Sequence, residues 1–102
     1  MTPKPRAPRH LRQPTRRWWD EVVREYVLEP HDLRLLQACC EAWDRLQQAR
    51  EALASGLTYT DRFGAPRPRP EVAIERDAAI RFARLARDLR LDDGSAPSGE
   101  GY

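Results

Sequence analysis

The stretch from Pro30 to Ala54 limits what this chain can become more than any other part of it. Leu33, Leu36, Cys40, Trp43, Leu46 and Leu53 recur at helical spacing, and Leu35, Cys39, Ala42 and Ala49 widen that stripe to a second flank. Such a helix would run about 37 Å at roughly 1.5 Å per residue, so the fold must cover two apolar flanks of one long rod. With 102 residues, only about 60–70% of the surface exposed by the unfolded chain is buried on folding, which leaves material for one modest core. The neighbouring helices are short. One flank is therefore expected to pack within the subunit and the other against a second copy, with Leu35, Cys39, Ala42, Trp43, Leu46 and Leu53 as the contact residues.

The flanking pattern predicts a mainly α fold: three helices with the long one central, a short β-hairpin before the last helix, and disordered tails. A first helix is expected from Thr15 as N-cap, with Trp18, Trp19, Val22, Val23 and Tyr26 at helical spacing. Pro30 disfavours helical geometry at Glu29 and suits the first position of the next helix, where Asp32 complements the dipole. Gly56 is expected to close that helix as a left-handed cap. Leu57-Thr58-Tyr59-Thr60, the turn residues Asp61-Arg62-Phe63-Gly64 and Ala65-Pro66-Arg67 then read as a hairpin over about 57–69, confined to an edge by Pro66, Pro68 and Pro70. Pro70 opens a third helix whose apolar face is Ile74, Ala78, Phe82, Leu85 and Leu89. The expected organisation is a disordered basic arm over 1–14, a helical core over 15–91 and a disordered acidic tail over 92–102.

Charge is segregated along this order although the net charge is only +2. Lys4, Arg6, Arg9, Arg12, Arg16 and Arg17 open the chain with no acid among them, while the next stretch, 18–61, has four arginines against nine acids. Pro3, Pro5, Pro8 and Pro14 keep the arm from propagating a helix, and Leu11 is almost all it offers a core. Six cations on such a segment suit a polyanion, because each neutralised phosphate releases condensed counterions whatever the base sequence. Nucleic acid is the expected partner, with a solubilising tail or a surface attracted weakly to anionic lipid as the alternatives. Arg76, Arg81, Arg84 and Arg87 on the last helix form a weaker second set, which could equally be an ordinary solvated face.

The residues that would carry catalysis are missing. No phosphate-binding Gly-rich loop, dinucleotide fingerprint or nucleophile elbow occurs, and no metal-ligand spacing. His10 falls in the arm and His31 beside Asp32 at a helix start, where a capping or solvent-facing role is expected. Adjacent Cys39 and Cys40 cannot bridge each other within a helix and read as buried apolar residues of a reducing cytoplasm. No apolar run approaches the roughly 20 residues of a membrane span, and the arm lacks the apolar core of a secretory signal. The expectation is a protein that is not an enzyme and has no cofactor.

Trp18-Trp19-Asp20-Glu21-Val22-Val23, Pro30-His31-Asp32-Leu33-Arg34-Leu35-Leu36, Ala38-Cys39-Cys40-Glu41-Ala42-Trp43, Gly56-Leu57-Thr58-Tyr59, Pro70 to Ala73 and Arg84-Leu85-Ala86-Arg87-Asp88-Leu89-Arg90-Leu91 follow one another in an order that resembles the terminase small subunit of tailed double-stranded DNA bacteriophages, in its short all-helical, cohesive-end packaging family. Relatives often carry Leu-Gly-Leu where this chain has Leu89-Arg90-Leu91. The resemblance implies a non-catalytic DNA-recognition subunit of the host bacterial cytoplasm that assembles as a ring-shaped homo-oligomer. It would mark viral DNA and direct the large subunit, which would hold the ATPase, the nuclease, ATP and Mg²⁺. Several arms acting on one duplex from such a ring gain avidity through effective concentration. A small helical transcriptional regulator is the alternative, although a helix-turn-helix reader must present polar groups on its second helix, and Leu33 to Trp43 is apolar-rich. A helical scaffold that binds only protein is the third.

Overall fold

Pro30 and Asp32 start the long helix in the expected way. In the computed structural model, which describes residues 4–91, α2 spans Pro30–Ala52 and carries a reciprocal capping box: the Glu29 N–H donates to Asp32 at 3.1 Å, and the Glu29 side chain accepts from the Asp32 N–H. A 3₁₀ turn, Leu53–Ser55, prolongs it to Gly56. Gly56 does have positive φ, but at φ 134°, ψ 160° it lies in an extended region open essentially to glycine, not in the left-handed helical region expected of a cap.

The first helix, α1 (Gln13–Glu25), begins earlier than its Thr15 suggested. Arg12 occupies the N-cap position with Pro14 in the first turn. The Thr15 hydroxyl donates instead to the carboxylate of Asp44, and the Arg12 N–H donates to the other oxygen of the same carboxylate at 2.8 Å. A buried acid on α2 thus satisfies the start of α1 from outside, a tertiary cap with no local sequence signature.

β1 (Thr58–Thr60) and β2 (Pro66–Pro68) form an antiparallel pair with Tyr59 opposite Arg67. The Asp61 N–H donates to the Ala65 carbonyl and the Arg69 N–H to that of Leu57, so the hydrogen-bonded rungs fall on odd-numbered residues. Pro66 and Pro68 occupy the alternate rungs, where a missing N–H costs the ladder nothing. α3 (Pro70–Leu89) returns along α2 and stops at Arg90, which has φ 58°, ψ 39°. This is the position where the family resemblance places glycine, and arginine adopts there the left-handed conformation that glycine takes at less cost.

The core centres on Leu11, Trp19, Val22, Val23, Leu36, Cys39, Cys40 and Leu89. Leu11 comes from the segment expected to hang free. Residues 4–12 instead run against the helices: the Trp19 indole N–H donates to the Pro5 carbonyl at 3.0 Å, His10 Nε2 lies 2.8 Å from Glu41 Oε2, and the Arg12 guanidinium pairs with Glu51. This changes the account of α2. α3 packs along it, with Cys39 of one flank and Trp43 of the other both meeting Phe82, and α1 and the basic segment pack against it as well. Cys39, Ala42, Leu46 and Leu53, expected at a contact between copies, are buried within the chain, and Leu35 is half-buried. Of the six, Trp43 keeps the largest exposure, at 37%. The proposed acidic tail, 92–102, lies outside the described residues, as do residues 1–3.

Candidate nucleic-acid interface

Folding sorts the expected phosphate-contacting residues into three kinds. Arg6, Arg16 and Arg17 come together, with Ala7, Gln13 and Asp20, around an open cleft of about 350 Å³ at the start of α1. Arg16 and Arg17 are in the first turns of that helix, and Arg6 reaches them because Pro5 is hydrogen-bonded to Trp19. α1 has no acid in its first turn. Three arginines against the single acid Asp20, near the positive end of a helix dipole, leave the cleft net positive, and an anion would offset that charge.

Arg12 belongs to the second kind. Its guanidinium pairs with Glu51, and that hydrogen bond together with the Glu51 and Asp44 charges holds its pKa above the ordinary arginine value. It is a staple between the basic segment and the far end of α2, and Glu51 already neutralises it. Lys4 is also apart, lining an apolar groove with Pro5, Val23, Tyr26, Val27, Leu28 and Leu33, while Arg9 is exposed.

The third kind is on α3. At 100° per residue Arg76, Ile80, Arg84 and Arg87 share the outward face, opposite buried Ala78 and Leu89. Arg81 lies toward one side, where it joins Arg84, Asp77, Ile80, Leu85 and Asp88 around a shallow depression. Arg76 pairs with Asp77 at 3.2 Å, and the acids dilute this face relative to the cleft on α1. The two basic sets line separate concavities.

Sequence reasoning missed three participants. Asp44 anchors α1 and the basic segment, and Glu41 and Glu51 hold His10 and Arg12 to α2. Asp44 and Glu41 are three residues apart on one helix, a spacing commonplace for acids. An acid at an otherwise apolar helix position could have marked Asp44 as a buried anchor. Nothing in the pattern singles out Glu51.

The remaining chemistry of the described residues is sparse. They contain no group of three or more His, Cys, Asp or Glu side chains that could hold a metal ion, and no helix long and apolar enough to cross a membrane. His31 is exposed, with Nε2 3.4 Å from the Asp32 carboxylate. Cys39 and Cys40 are free and buried, which pushes their thiols up to about 11 and about 12. α2 buries Leu36, Cys39, Cys40, Ala42, Leu46 and Ala49 and exposes Arg34, Glu41, Arg45, Gln48 and Glu51 on its other face.

Comparison with known proteins finds no match among curated proteins and none among solved structures. One family model does match, described as the small subunit of phage terminase, over residues 15–96, most of the chain. The aligned region starts at Thr15, so the cleft combines Arg16 and Arg17 from the family region with Arg6 from the segment before it. From the order of its elements and from that match, the chain belongs to the phage terminase small-subunit family.

Proposed function

We propose that this protein is the DNA-recognition and regulatory subunit of a phage packaging machine. It binds double-stranded viral DNA in the host bacterial cytoplasm and directs a large subunit that supplies the ATPase and nuclease. The protein itself has no catalytic role and no cofactor, and it acts as a homo-oligomer, in a ring around or beside the duplex. The observation that carries the DNA reading is the cleft of Arg6, Arg16 and Arg17, three cations against the single acid Asp20, at a helix start whose first turn has no acid. Phosphate would relieve the crowding of those charges, satisfy the helix dipole and release counterions. The outward arginines of α3 supply a second, weaker track, and repetition of both around an oligomer multiplies weak contacts.

Anisotropy titrations of a labelled duplex at several salt concentrations test this reading, with the mass of the free and bound protein measured by light scattering. An oligomer whose affinity falls linearly with salt on logarithmic axes is expected. Failure to bind any duplex at low salt, in a sample that still captures a large terminase subunit, would replace it with a protein-only adaptor.

A further inference from the structure

One hole and one knob of matching chemistry stand apart in the chain's own packing. The hole is a cavity of about 290 Å³ lined by Pro14, Thr15, Trp18, Trp43 and Phe82, where α1, α2 and α3 meet. Its floor is aromatic: the Trp43 and Phe82 ring centroids are 4.9 Å apart with planes tilted by 51°, and Trp18 lies 6.4 Å from Phe82. An apolar cavity of about 150 Å³ is enough for a benzene molecule, so a phenyl ring fits this one.

The knob is Phe63 at the tip of the β1–β2 turn, with 79% of its surface exposed. It is held out rigidly. Asp61 Oδ1 accepts from the Phe63 N–H at 2.8 Å and from the Ala65 N–H at 2.9 Å, Gly64 takes φ 81°, and the Arg62 guanidinium is 4.9 Å from the centre of the Phe63 ring. Leu57 and Tyr59, both exposed, continue the apolar surface along the hairpin. The chain does not place its own Phe63 in its own cavity. The root of the hairpin is pinned by Arg69, whose N–H and Nε donate to the Leu57 and Thr58 carbonyls.

Charge chooses the occupant. Arg62 and Arg69 accompany the knob, with Asp61 already engaged by Arg67 at 3.0 Å. Glu21 and Glu25 follow Trp18 by three and seven residues on the same side of α1, one and two turns past the residues that line the hole; both are exposed and make no ion pair among the described residues. We propose that Phe63 of one protomer seats in the Trp18–Trp43–Phe82 cavity of a neighbouring copy, with Arg62 against Glu21 and Glu25 on the α1 face past Trp18. This rests on the self-assembly reading above and supplies a contact for it. Because knob and hole are different surfaces of one chain, the contact is heterologous and repeats head to tail until it closes.

Sedimentation velocity on full-length variants tests it, with the wild type as reference. Phe63→Ala is expected to weaken self-association at least about tenfold, as loss of an aromatic anchor does. Arg62→Glu alone and the Glu21→Arg, Glu25→Arg pair alone are expected to weaken it as well. Mixing Arg62→Glu chains with Glu21→Arg, Glu25→Arg chains should restore association, which a loss of folding could not mimic. In an Arg62→Cys, Glu21→Cys double variant, oxidation should give a ladder of cross-linked multimers, since Cys39 and Cys40 are buried. A wild type that assembles while Phe63→Ala assembles equally well would overturn this contact and leave the self-assembly reading intact. A cross-link confined to single chains would show that the hairpin folds back into its own cavity, and would also overturn it. A wild type that stays monomeric at roughly 100 μM would remove both.

Discussion

Asp44 shows how much one residue decides. Its two oxygens accept from the Arg12 N–H and the Thr15 hydroxyl, and the carboxylate is buried. Asp44→Ala would leave a buried hydroxyl and a helix-start N–H without a partner, at a cost of about 2 kcal/mol. Denaturant unfolding measures this; a change below about 0.5 kcal/mol would mean that the basic segment is not anchored there. Cys39 and Cys40 were legible as buried apolar residues, and their raised thiol pKa values have a direct consequence. At about pH 8 the folded protein should resist thiol reagents that label both cysteines once it is denatured, because only the thiolate reacts. Prompt labelling of either in the folded state would contradict the burial. The role of Asp44 was not legible, because its partners are 29 and 32 residues away and a spacing argument sees only neighbours on one helix.

At the scale of elements, the three helices and the hairpin follow from local rules. Pro14, Pro30 and Pro70 each mark a helix start, Gly56 ends the long run, and the two-residue alternation of the strands fits the rungs on which Pro66 and Pro68 fall. Thr15 was misread as a cap because its hydroxyl is recruited by a distant acid instead of its own backbone. The hairpin turn depends on Asp61, whose pKa is lowered chiefly by the Ala65 N–H, then by Arg67 and the Phe63 N–H. Since the folded value lies below the unfolded one, the ionised form is the one the turn binds. Its contribution is complete above about pH 4 and is lost as pH falls through the folded value. The Phe63 and Ala65 amide resonances should therefore hold steady from about pH 7 to pH 5 and move only in more acid solution. Movement in the upper range would point to a different group. Asp61→Ala should free the same amides at neutral pH.

Over the whole molecule, the sequence made the surplus apolar surface of α2 visible and misassigned part of its cover. Prolines and cations in residues 4–14 carry no periodic signal, so the segment read as free. Its attachments, the Pro5 carbonyl, Leu11 and the Arg12 N–H, are single contacts that arise only from the tertiary fold. That placement separates arginines that the composition treats alike. Arg6, Arg16 and Arg17 face an open cleft, and Arg12 is spent on Glu51. The most direct measurement of this central claim is the slope of duplex affinity against salt, both logarithmic, for wild type, the Arg6→Ala, Arg16→Ala, Arg17→Ala triple variant and Arg12→Ala. With roughly 0.9 of slope per phosphate neutralised on B-form DNA, the triple variant should lose about 2.7 for each engaged protomer and Arg12→Ala less than about 0.5. A triple variant with the wild-type slope, or an Arg12→Ala protein that loses as much as the triple, would contradict the account.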